Sequence, residues 1–156
     1  MPHLIALVAT ILVGFALGGC SSLPDGARKP LLNLEEVALT TDREGLAAAT
    51  VTFTLNHASP EPLKLRTVII ELDLNGAPAA RWQGKPEPAL LPPGLTQRYT
   101  QLVPLDRQGP LARASLARSP MLQLSGDCRV RAVFTGDAAA SFNPYAQYRG
   151  LVKYGR

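Results

Sequence analysis

Apolar and polar residues alternate with period two in several stretches, the spacing of strands half-buried against a core. Thr50-Val51-Thr52-Phe53-Thr54-Leu55 is the cleanest case, with Val51, Phe53 and Leu55 inward and three β-branched threonines outward. Val68, Ile70, Leu72 and Leu74 make a second inward row, opposed by Glu71 and Asp73. Leu63 and Leu65 are out of phase with that row, so a bulge or bend is expected near Arg66-Thr67. Cys128, Val130, Ala132 and Phe134 form a third row, which sends Arg129 and Arg131 the other way, toward water. Leu31 to Thr41 and Leu95 to Leu105 are expected strands of weaker alternation, and Pro104 places the latter at a sheet edge or a strand end.

Turn formers punctuate these runs at Asp42-Arg43-Glu44-Gly45, Asn75-Gly76, Pro92-Pro93-Gly94 and Ser125-Gly126-Asp127. Asn75-Gly76 predicts a tight hairpin, because both residues tolerate the positive φ angles of a primed turn. The four prolines between Gln83 and Pro93 predict an extended loop. One short helix is expected over 109–119, with Pro110 in its first turn. About seven short strands at intervals near ten residues predict an all-β fold, an antiparallel β-sandwich. Composition agrees: 14 prolines and 13 glycines exclude a helical bundle, and 46% hydrophobic against 18% charged residues excludes wholesale disorder.

The first charged side chain is Asp25, and an apolar run extends from Leu4 to Leu17. A stable bilayer span takes ~20 apolar residues, so this run suits the core of a signal peptide better. Leu17-Gly18-Gly19-Cys20 resembles the bacterial lipobox, in which small residues precede a cysteine that is acylated and becomes the first residue after cleavage. The alternative is an uncleaved anchor helix with Cys20 an ordinary thiol. Ser21, in the second mature position, resembles lipoproteins forwarded to the outer membrane. The expected organisation is a signal peptide over 1–19, a lipidated Cys20 with a flexible tether over 20–30, and one domain over 31–156. The membrane is thus a partner through the anchor, since each buried CH₂ of an acyl chain contributes about 0.8 kcal/mol.

The segment from Thr50 to Leu105 resembles the LEA-2 family, also called the water stress and hypersensitive response (WHy) domain. The resemblance rests on Val51-Thr52-Phe53-Thr54-Leu55-Asn56, then Pro62-Leu63-Lys64-Leu65, then a strand from Val68 that closes in Leu74-Asn75-Gly76. Leu91-Pro92-Pro93-Gly94 and a C-terminal Arg149-Gly150-Leu151-Val152 strand also fit. One departure is that Asn56 is followed by His57 rather than by proline, so the connection is expected to differ. The resemblance implies a fibronectin- or immunoglobulin-like sandwich, a link to desiccation and stress tolerance, and no catalytic residue to carry over.

Candidate chemistry is sparse. Beyond Cys20 there is one histidine, His57, read as a solvated loop residue, and no nucleophile elbow accompanies it. His57 and Cys128 lack metal-ligand spacing, so no metal or other cofactor is expected. Glu35-Glu36 is the one adjacent carboxylate pair, and strand neighbours should point to opposite faces. Cys128 reads as a small buried hydrophobe, Trp82 as packing, and the tyrosines at 145, 148 and 154 as a final strand with its lead-in loop. A formal charge of +4 favours anionic envelope partners without demanding them. Neither nucleic acid nor a small-molecule substrate is expected. The leading expectation is a non-enzymatic outer-membrane lipoprotein that binds or protects envelope components. The alternative is a structural lipoprotein subunit of an envelope-spanning secretion or transport assembly.

Overall fold

The computed structural model describes residues 29–42, 45–58, 60–106, 124–135 and 143–152. Eight strands follow in order: β1 (Leu31–Asp42), β2 (Gly45–Asn56), β3 (Leu63–Leu74), β4 (Ala77–Gly84), β5 (Leu90–Leu91), β6 (Thr96–Pro104), β7 (Leu124–Thr135) and β8 (Tyr145–Val152). β5 has only two residues, which leaves seven longer strands. Among the described residues there is no helix, and the helix expected over 109–119 lies outside them.

One sheet has the order β1-β2-β6, the other β4-β3-β7-β8 with β5 added against β3. Every pairing is antiparallel. The two sheets share one core: Val51, Phe53 and Leu55 of the first meet Val68, Ile70, Leu72, Cys128 and Val130 of the second, all fully buried. A sandwich results because each sheet has one apolar face to hide. Phe53 stacks on Tyr99 of β6 with ring centroids 5.2 Å apart. The Tyr99 hydroxyl, buried in this layer, donates to the Pro88 carbonyl at 2.9 Å.

Bulges explain where the alternation weakens. In β1 a register shift at Glu35 moves the inward phase from Leu32 and Leu34 to Val37 and Leu39. In β3 the shift lies between Leu65 and Thr67, as the phase change in the sequence predicts. The Asn75-Gly76 hairpin joins β3 to β4 with φ of 50° and 77°, the positive pair that a primed turn needs. Asn75 also ties this turn to β7, its amide donating to the Ser125 carbonyl at 2.7 Å and its Oδ1 accepting from the Ser125 amide at 3.0 Å. β6 ends at Pro104 and lies at the edge of its sheet, so both expectations for that proline hold.

Two expectations are corrected here. Ser125-Gly126-Asp127 is not a turn but part of β7, with Gly126 paired between Leu74 and Gly150. A Cβ at Gly126 would lie 2.2 Å from Val152 Cγ2, so the glycine serves close packing rather than a chain reversal. The threonines of β2 do face outward, yet Thr52 and Thr54 are buried. β2 is the middle strand, and a salt bridge from Glu35 on β1 to Arg98 on β6, 2.9 Å long, reaches over it.

Candidate functional site

Outward residues of the second sheet fall into three cross-strand rungs. The first reads Gln83, Ile69, Arg131, Tyr145 across β4, β3, β7 and β8; the second Arg81, Glu71, Arg129, Gln147; the third Pro78, Asp73, Asp127, Arg149. Asp73 and Asp127 stand directly opposite each other, an unfavourable like-charge pair unless each finds a cation. Arg129 donates to Asp73 at 2.6 Å, while Arg149 and Gln147 donate to Asp127 at 3.1 and 2.7 Å. The Gln147 hydrogen bond, followed by that of Arg149, holds the Asp127 carboxyl below the usual carboxylate range. Arg81 and Glu71 make a looser contact of 3.7 Å.

Between these side chains lies a depression of about 90 Å³ lined by Ile69, Glu71, Arg81, Arg129, Arg131 and Tyr145. That is room for a few waters or one small polar group. Pockets for whole drug-sized ligands span ≈ 300–1,000 Å³, well above this. Arg129 was expected to reach water, but it is half-buried in its ion pair, and its Nε is buried with no hydrogen-bond partner. Arg131 is exposed, as expected, and makes no ion pair among the described residues.

The structure overturns the reading of His57 as a solvated loop residue: the side chain is fully buried. Its amide donates to the Leu95 carbonyl at 3.2 Å, and its own carbonyl accepts from the Gly94 amide at 2.7 Å. Nε2 lies against the Glu61 carbonyl, which can only accept, so Nε2 carries the proton; Nδ1 has no partner. A proline, as in the family pattern, has no amide hydrogen to give Leu95. His57 thus clasps the β2–β3 connection to the loop before β6.

Other predicted residues take structural places. Asn56 ends β2 and donates through Nδ2 to Thr96 Oγ1 at 2.8 Å. Pro62 is exposed at the entry to β3, and Leu63 beside it is buried against Leu91 of β5. Cys128 is fully buried, and burial pushes its thiol up to about 12, so it is a core residue and not a nucleophile. Trp82 is half-buried and packs on the core. The expectation that Glu35 and Glu36 take opposite faces fails at the β1 bulge, where both are exposed and Glu35 is held by Arg98. Leu17, Gly18, Gly19, Cys20 and Ser21 lie outside the described residues. Among the described residues no three His, Cys, Asp or Glu side chains gather to hold a metal. The arginine-lined depression was missed in the sequence; the period-two row Arg129-Arg131 was its one visible sign.

No family model matches the chain, and no curated protein does. Among solved structures, the chain is similar to a protein described as late embryogenesis abundant (LEA), with a TM-score of 0.61 at 12% identity over 80% of this chain and 71% of that one. The fold is LEA-like. Spo0M, the sporulation control protein from Bacillus subtilis, matches with a TM-score of 0.44 at 12% identity over 82% of this chain and 50% of that one. A likeness at that score carries no argument. At 12% identity the LEA likeness speaks for the fold alone. It agrees with the two antiparallel sheets packed over one core.

Proposed function

We propose that this chain is a non-enzymatic lipoprotein of LEA-2 type. On this reading it is acylated at Cys20, held at the outer membrane with its domain in the periplasm, and binds or protects envelope components under stress. The sandwich is then a divergent fibronectin- or immunoglobulin-like one. The observation that carries the reading is the LEA-like fold, spanning 80% of the chain. Supporting it, His57 and Cys128, the two side chains best suited to catalysis, are both fully buried. What remains for function is surface, such as the charged outer face of the second sheet.

Two measurements test it. Acyl labelling of the native chain should be lost in a Cys20→Ala variant together with membrane association; an unchanged membrane fraction would refute the anchor. A labile test enzyme dried with the full chain should keep more activity than one dried with an equal mass of an unrelated protein. Equal losses would refute protection. Recovery of the chain in stoichiometric complex with an envelope-spanning channel would replace the protective role with that of a structural subunit.

A further inference from the structure

The charged face of the second sheet has a surplus that its own ion pairs do not use. Three arginines and one glutamate line the depression over Ile69. Glu71 offsets Arg81 at 3.7 Å, and Asp73, just outside, offsets Arg129 at 2.6 Å. Arg131 is left over, an exposed guanidinium with no ion pair among the described residues. Arg129 spends one terminal nitrogen on Asp73, while its Nε–H is buried and unsatisfied. Tyr145, half exposed in the same rung as Arg131, adds a hydroxyl donor at the rim.

We propose that this depression binds a single phosphate group. Three observations select that chemistry. The free donors are guanidinium and phenol groups, which suit an oxyanion, and planar guanidinium forks match phosphate oxygens geometrically. They come from strands on both sides of β3, with β4 on one side and β7 and β8 on the other, so an anion over Ile69 is bordered by donors from two sides. The volume of about 90 Å³ admits one such group and leaves the rest of any larger molecule outside. Ile69 forms an apolar surface within it, which lowers the local dielectric and strengthens the charge contacts above. The phosphate is either free or the diester of a lipid headgroup, since the same oxygens would be held in both cases. The site does not depend on the anchor, so a Cys20→Ala chain should bind equally well.

The test follows arginine Nε–H resonances of the full chain in neutral detergent while inorganic phosphate, or the headgroup diester glycerophosphoglycerol, is added at constant ionic strength. The Arg129 and Arg131 signals should shift saturably, and Arg131→Gln should weaken binding by about tenfold or more, the size of one charge-assisted hydrogen bond. Arg81→Gln, also exposed, should weaken it in the same direction. Arg98→Gln, on the other sheet and paired with Glu35, should leave it unchanged. Tighter binding of the diester than of inorganic phosphate would assign the site to lipid headgroups, and the reverse order to free phosphate. No saturable shift with either probe, or equal weakening by Arg131→Gln and Arg98→Gln, would overturn the proposal.

Discussion

Gly126→Ala should destabilise the domain, and a second substitution should restore it. The new Cβ would lie 2.2 Å from Val152 Cγ2, whereas carbon atoms in contact prefer ≈ 3.5–4.0 Å. Val152 is 1% exposed and β-branched, so its methyl has little room to swing away. Overpacking of this kind costs about 1–3 kcal/mol. Gly126 is not among the positive-φ glycines, so alanine fits the local backbone and narrows the unfolded ensemble, a gain of ≈ 0.4–1 kcal/mol. The net expectation is a loss of about 1.3 kcal/mol from the mid-range values and at most about 2.6 kcal/mol, lowering the melting temperature by about 3–5 °C per kcal/mol. Urea denaturation followed by Trp82 fluorescence and by circular dichroism measures it. In a Val152→Ala background the clash is gone, and Gly126→Ala should become neutral or mildly stabilising. If Gly126 instead served a turn, the cost would persist whatever occupies position 152. An undiminished penalty in the double variant, or a single variant as stable as the parent, would refute the packing argument.

Gly76→Ala should cost about 1–2 kcal/mol, because φ of 77° forces an L side chain into the left-handed region; equal denaturation midpoints would contradict this. Phe53→Ala, which empties a fully buried site stacked on Tyr99, should lose about 3–5 kcal/mol in the same assay. The Cys128 thiol should resist a thiol-specific disulfide reagent in the folded protein and react once the chain is unfolded; prompt reaction in native buffer would show that it is not core. Burial raises Cys128 from 9.0 to about 12, and Tyr99 from 10.0 to about 12 with the Glu87 charge adding to the effect. Folding therefore favours the protonated forms: this stability is intact below the ordinary values and is lost as pH rises toward 12. Alkaline titration of the denaturation midpoint should show the decline, weaker in a Cys128→Ala variant.

Part of this architecture was legible in the sequence because period-two alternation is a local property. One face of each strand must be apolar wherever two sheets hide a core, so Val51-Phe53-Leu55 and Val68 to Leu74 declared their inward faces unaided. Asn75-Gly76 declared its turn because φ above zero is a demand on the residue itself. Phase changes were readable too, and Arg66-Thr67 marked its bulge. The N-terminal apolar run and the residues around Cys20 are likewise local signals, and they carry the anchoring proposal.

What failed did so at contacts between distant segments. Gly126 looks like a turn residue until Val152 is placed beside it, 26 positions away in sequence. His57 looks solvated until the loop at Gly94-Leu95 closes over it and takes both of its backbone hydrogen bonds. Glu35 and Glu36 look like strand neighbours on opposite faces until the bulge turns both outward. The arginine depression needs side chains of four strands, β3, β4, β7 and β8, from two distant stretches of the chain. Alternation determined which side of each strand faces the core, since that depends on the residues of one segment. Register and sheet order, which no single segment contains, decided which charges meet on the other side.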